Sequence, residues 1–143
     1  MHIRAMTIED YDQVVELMKR APGVCVRTAD SREATRRFLE HNPGFSFVAE
    51  DEGKVIGCAM AGHDGRRGYL QHVVVAQEYQ GKGLGRKLVE ACLAKLHAEG
   101  FHKTHIDVMT YNTKAMAFWE HLGWQRRDDL VRYSIITSDD ENA

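Results

Sequence analysis

The order of patterned segments predicts an α+β domain, a mixed and mostly antiparallel sheet of six to seven strands flanked by about four helices. Three observations carry this. A β-branched apolar run, 69–76, passes through a glycine-rich turn directly into a helix-patterned segment that reaches Leu96. That run is the last of three apolar stretches joined by tight-turn sequences, which reads as an antiparallel meander. Helical patterns precede the meander, and strand-like and helix-like segments alternate after it.

Each element has its own signal. The run 2–6 alternates with Ile3 to one side, and Thr7-Ile8-Glu9-Asp10 reads as an N-cap with an acidic first turn, so a strand feeds a helix. Val14, Val15, Leu17 and Met18 give that helix an apolar face, and Ala21-Pro22-Gly23 ends it. Asp30-Ser31-Arg32-Glu33 resembles a capping box before a second helix carrying Phe38 and Leu39. Asn42-Pro43-Gly44 breaks the chain. Strand 45–50, the hairpin turn Asp51-Glu52-Gly53-Lys54 and strand 55–61 follow, and the turn 63–68 leads into strand 69–76. The third helix places Leu84, Leu88, Cys92 and Leu96 at a spacing of four, with Val89 and Leu93 beside them, and Glu99-Gly100 closes it. The run 104–109 alternates as a strand, 112–122 is a helix with Gly123 as its cap, and 124–126 and 130–136 are the final strands. Residues 1–137 form one domain, and 138–143 a polar, acidic, solvated tail.

Composition bounds the function. With 43 % hydrophobic and 28 % charged residues the chain is ordinary for a globular protein, and no apolar run approaches the ~20 residues of a membrane span. The opening MHIRAMTIED lacks a signal pattern, which predicts a cytoplasmic protein. A net charge of −2 argues against nucleic acid as a partner. Cys25, Cys58 and Cys92 are scattered, so neither a disulfide framework nor a metal site is indicated, and all three are expected to be buried thiols.

The glycine-rich turn carries the chemistry. Gly81, Gly83 and Gly85 let backbone N–H groups approach an anion, the following helix offers its unpaired N–H groups, and Lys82, Arg86 and Lys87 add positive charge. A Walker loop fails, because Gly83 follows Gly81-Lys82 and Ala76 stands where its first glycine belongs. The dinucleotide fingerprint fails at Arg86 or Leu88, depending on the glycine counted from.

The pattern that fits is Q-x-x-G-x-G, read as Gln80-Gly81-Lys82-Gly83-Leu84-Gly85 after a Val-rich strand. In this the chain resembles the GCN5-related N-acetyltransferase (GNAT) superfamily, whose members bind acetyl-CoA at this motif. Farther on, NTKAMAFWEHLGW is similar to the family's second signature, with Asn112, Ala115, Phe118, Trp119, Gly123 and Trp124 in place. The resemblance covers nearly the whole chain. It implies the GNAT fold and an acetyl-CoA cosubstrate held by Val73, Val75, Gln80, Gly81, Lys82, Gly83, Leu84, Gly85, Arg86, Asn112, Ala115, Phe118 and Trp119. It also implies an amine acceptor attacking the thioester directly in a ternary complex, with segment 24–42 as one wall of the acceptor groove; a homodimer stays open.

By the same resemblance the strand 69–75 splays from the strand after Gly100, and the Val73 N–H faces the acetyl carbonyl. Catalytic candidates are Tyr69, His72, the Val73 backbone and Tyr111. Tyr69 stands where histone acetyltransferases of the superfamily place a glutamate, while a period-two count puts His72 on the opposite face. Glu50, Asp107 and water compete as the base. Trp119 replaces a tyrosine that protonates the departing thiolate in many members, and an indole N–H is too weak an acid for that. Tyr111, Tyr133, His121 and water are the substitutes. A catalytically weak CoA-binding sensor is the alternative function.

Overall fold

A computed structural model describes all 143 residues and divides into two compact units, Met1–Asp107 and Val108–Ala143. The first holds a five-stranded sheet in the order β1-β2-β3-β4-β5: β1 (His2–Ala5), β2 (Phe47–Asp51), β3 (Lys54–His63), β4 (Gly68–Val75) and β5 (Thr104–Ile106). The first four pair antiparallel and β5 lies parallel to β4. Three helices accompany it, α1 (Tyr11–Arg20), α2 (Arg32–His41) and α3 (Leu84–Ala98).

The meander forms where the turn chemistry demands it. Glu52 and Gly53 both have positive φ, 51° and 78°, as a two-residue turn matched to the twist of β2 and β3 requires. At the next reversal Asp64 Oδ1 accepts from the N–H groups of Arg66 and Arg67, at 2.8 and 2.7 Å.

β3 is buried from Val55 to Gly62 because both sheet faces are covered. On one face Cys58, Met60 and Val74 pack with Val14, Leu17 and Met18 of α1, and Phe38 and Leu39 of α2 lie against that cluster. On the other, Leu84, Leu88, Cys92 and Leu96 of α3 are buried. A Cβ at Gly57 would come within 3.1 Å of Leu88, so glycine there lets α3 sit close to the sheet. Burial pushes the thiols of Cys58 and Cys92 up to about 12, so both are inert core groups, whereas Cys25 is exposed, contrary to expectation.

Ser31 is the N-cap of α2, its side chain accepting from the Ala34 N–H at 3.2 Å, so the capping-box reading of Asp30-Ser31-Arg32-Glu33 is out of register and Asp30 stands outside the helix. In the second unit α4 (Thr113–His121) is capped by Asn112, whose Oδ1 accepts from the Ala115 N–H at 3.1 Å; Gly123 follows at φ 89°.

The final strands are a correction. Residues 124–136 form no strand, which leaves five strands where six to seven were expected. The β-branched alternation of 130–136 is real, but strand propensity measures the fit to a pleated, half-buried surface and needs a ladder partner. Here Leu130, Val131, Tyr133, Ile135 and Ile136 are all exposed, Tyr133 by 92 %.

Candidate active site

Two breaks in regularity shape β4. The first lies on its β3 side, where Cys58 pairs with Val74 but Met60 with Gln71, so Ala59 alone faces His72 and Val73. This is a bulge, and His72 takes φ 47°, a left-handed conformation rare outside glycine. Up to Gln71 the strand alternates as expected: Tyr69 pairs with Gly62 on the α1/α2 face, and a Cβ at Gly68 would meet Leu96 of α3 on the other. The bulge then interrupts the period-two count. It turns His72 back to the α1/α2 side, where Nε2 lies 2.7 Å from Asp30 Oδ1.

The second break is on the β5 side. The parallel ladder pairs Gly68, Tyr69 and Leu70 with Thr104, His105 and Ile106, and goes no farther. Beyond Leu70 the backbone of β4 has lost that neighbour. The Ala76 N–H bonds the Ile56 carbonyl at 2.8 Å, so alternation turns the N–H and C=O of Val75 the other way, and Val75 O accepts from Gln80 Nε2 at 3.0 Å. The carbonyl of His72 accepts from Cys58 Sγ at 3.3 Å; across a trans peptide this points the Val73 N–H away from the thiol.

The glycine-rich turn sits at the end of this strand. Gly81 and Gly83 have φ of 80° and 79°, and a Cβ on either would meet nothing within 4 Å, which leaves an open cradle. Gly83 is the N-cap of α3 and has no side chain to cap it. The first intrahelical bond runs from the Lys87 N–H to Gly83 O, so the N–H groups of Leu84, Gly85 and Arg86 have no partner within the helix. No acidic residue occupies the first turn. The side chain of Leu84 is buried, so only its backbone can serve a ligand. Lys82 Nζ stands 5.4 Å over the Tyr79 ring and Arg86 lies 4.0 Å from Glu90. Tyr79 is itself anchored, its hydroxyl donating to Asp51 Oδ2 at 2.8 Å.

The Tyr69 hydroxyl is 3.4 Å from Asp64 Oδ2 and its ring is 5.7 Å from that of His105. Glu50 is held by Arg4 at 3.2 Å, and Asp107 is exposed just past β5. In the second unit Ala115 and Phe118 are half-buried on α4, and Trp119 is buried edge-on between Phe118 and Trp124, at ring distances of 5.0 and 4.6 Å. Tyr111, Tyr133 and His121 are exposed.

Sequence reasoning missed Asp30. Oδ2 accepts from the Arg27 N–H at 2.8 Å, and its backbone carbonyl accepts from the Tyr11 hydroxyl at 2.6 Å. Burial first, then the charges of Asp30 and Asp12, hold the Tyr11 phenol above its ordinary range, so it stays a donor. The one available signal was a surplus acid ahead of a serine already able to cap the helix.

Solved structures share this architecture. The PaiA N-acetyltransferase of Thermoplasma acidophilum, in complex with coenzyme A, superposes with a TM-score of 0.80 at 17 % identity, covering 89 % of this chain and 91 % of that one. Naa20 of Chaetomium thermophilum, in complex with a bisubstrate analogue, gives 0.74 at 24 %, over 85 % and 70 % of the two chains. The ribosomal-protein-S18-alanine N-acetyltransferase of Escherichia coli gives 0.71 at 24 %, over 85 % and 76 %. These likenesses establish the fold, and the family follows from the sequence itself. A family model described as Acetyltransferase (GNAT) family matches residues 11–124, most of the chain, and the protein therefore belongs to that family.

Proposed function

We propose that the protein is an acetyl-CoA-dependent N-acetyltransferase that moves an acetyl group to a primary amine of a small molecule, a peptide N-terminus or a lysine. The observation that carries this reading is the parting of β4 from β5 beyond Leu70 and Ile106, next to a helix N-terminus entered through left-handed glycines. A strand that has lost its neighbour presents backbone groups to an extended ligand, and the uncapped N-terminus takes phosphate. Gln80 to Arg86 hold the pyrophosphate, Val73 and Val75 meet the pantetheine arm, and the Val73 N–H receives the developing oxyanion. The family signature also assigns Asn112, Ala115, Phe118 and Trp119 to donor binding. Coenzyme A in the PaiA structure supports the choice of donor.

Calorimetry with acetyl-CoA tests it: binding is expected, and none at millimolar ligand would overturn the reading. Thiol release in the presence of amines, peptides and aminoglycosides then tests turnover. One observation favours a second reading, a CoA-binding sensor. Trp119, in place of the family's tyrosine, is buried and has no hydroxyl, while Tyr111 lies exposed. Tight acetyl-CoA binding with no thiol release from any amine would select it.

A further inference from the structure

We propose that Asp30 and His72 act together as the base of the transfer, Asp30 fixing the imidazole through Nε2 so that Nδ1 takes the proton from the acceptor amine. This rests on the acetyltransferase reading above. His72 is the catalytic residue and Asp30 a positioning residue.

Three features carry it. His72 is held in a left-handed backbone conformation, rare outside glycine, at the β4 bulge, which turns its side chain toward Asp30. Its target is rigid: the Asp30 side chain is 11 % exposed, and both carboxylate oxygens and the backbone carbonyl have partners, on Arg27, His72 and Tyr11. Last, Nδ1 of His72 has no hydrogen bond. Because no buried side-chain nitrogen or oxygen lacks a partner, this unpaired nitrogen reaches solvent. An ionised carboxylate only accepts, so Nε2 carries the hydrogen and the neutral ring shows its lone pair at Nδ1. A purely structural ion pair needs neither the strained backbone nor the open nitrogen.

The surroundings suit an acceptor. Behind Asp30, the Tyr11 phenol of α1 donates to its carbonyl, and Arg32 of α2 lies 5.6 Å over the Tyr11 ring and 3.6 Å from Asp12; on β3 the thiol of Cys58 donates to the His72 backbone carbonyl. Asp30 is the charged group that touches the ring. The residue after His72 is Val73, so the base and the oxyanion N–H flank one peptide bond. In the step, the amine nitrogen forms the new C–N bond, the thioester C–S bond breaks with its electron pair leaving on sulfur, and one amine proton passes to Nδ1. Solvent then protonates the CoA thiolate and takes the proton from His72, giving the amide and free CoA.

Glycine accepts φ 47° without strain, so His72→Gly removes the ring while preserving the bulge. With an amine that the wild type acetylates, this variant should lose about 10²- to 10⁴-fold in kcat and keep its acetyl-CoA affinity by calorimetry. Added imidazole should restore about tenfold or more. Asp30→Asn should lower kcat by about tenfold or more in the wild type, yet change nothing in the His72→Gly background, because it acts through the ring. Unchanged turnover in His72→Gly, no response to imidazole, or independent multiplying effects of the two substitutions would each overturn the dyad alone. A wild type that releases no thiol with any amine would overturn the acetyltransferase reading and the dyad with it.

Discussion

Gly83 has φ 79° and a Cβ there meets no protein atom within 4 Å, so under the proposed function a side chain would enter the space meant for the pyrophosphate. Gly83→Val should therefore abolish measurable acetyl-CoA binding, because its methyl groups fill the cradle. The substitution also strains the backbone by about 1–2 kcal/mol. Gly65→Val, at φ 89° in the equally open turn before β4, carries comparable strain and should bind acetyl-CoA like the wild type. Equal affinities in the two variants, by calorimetry, would place the anion elsewhere. His72 shows the same principle with a side chain attached. Its direction was hidden in the sequence because a bulge adds a residue without leaving a composition signal, and the period-two count assumes no bulge. Asp30 was misread for a related reason: with Ser31 adjacent, either residue could cap α2, and Asp30 instead bonds the Arg27 N–H and the ring of a residue distant in sequence.

At the scale of the element, local chemistry was legible and long-range pairing was not. The hairpin at Glu52-Gly53, the end of α1 near Ala21 and the glycine-entered start of α3 all follow from residues that dictate φ nearby. The ladder for 130–136 had no such local guarantee, and its β-branched residues stand exposed. The parting of β4 and β5 was expected from family resemblance alone; no pattern within 104–109 says that pairing stops at Ile106. α4 belongs to the legible class. Its Asn112 cap satisfies one of the helix's four orphan N–H groups, so Asn112→Ala should lower stability by about 1 kcal/mol, read from the shift in the denaturant midpoint. A midpoint equal to that of the wild type would mean that solvent serves the Ala115 N–H as well as the side chain does.

In the unit 1–107 the first strand is tied down by charge. Arg4 of β1 bonds Asp10 twice, at 2.9 and 2.8 Å, and reaches Glu50 of β2 at 3.2 Å, so one guanidinium joins the first strand, the start of α1 and the sheet. Burial alone would raise the Asp10 carboxyl. The Arg4 hydrogen bonds and the Thr7 N–H, which donates to Oδ2 at 2.9 Å, outweigh it and hold the group below its ordinary range. A carboxyl whose folded pKa is depressed stabilises the fold above its unfolded value, about 3.9, and that contribution is lost as pH falls through the lower folded pKa. Arg4→Ala removes the main cause while leaving Asp10 only 6 % exposed. It should cost about 1–3 kcal/mol at pH 7, less than for a fully buried pair because Arg4 is 31 % exposed. The difference from wild type should be full at neutral pH and shrink as pH falls, first as the variant's Asp10, deprived of Arg4, protonates, until the wild-type carboxyl protonates as well. Chemical denaturation at a series of pH values measures both quantities, and a difference that stays constant down to the lowest pH at which the protein folds would show that Arg4 stabilises by packing its stem instead of by its charge.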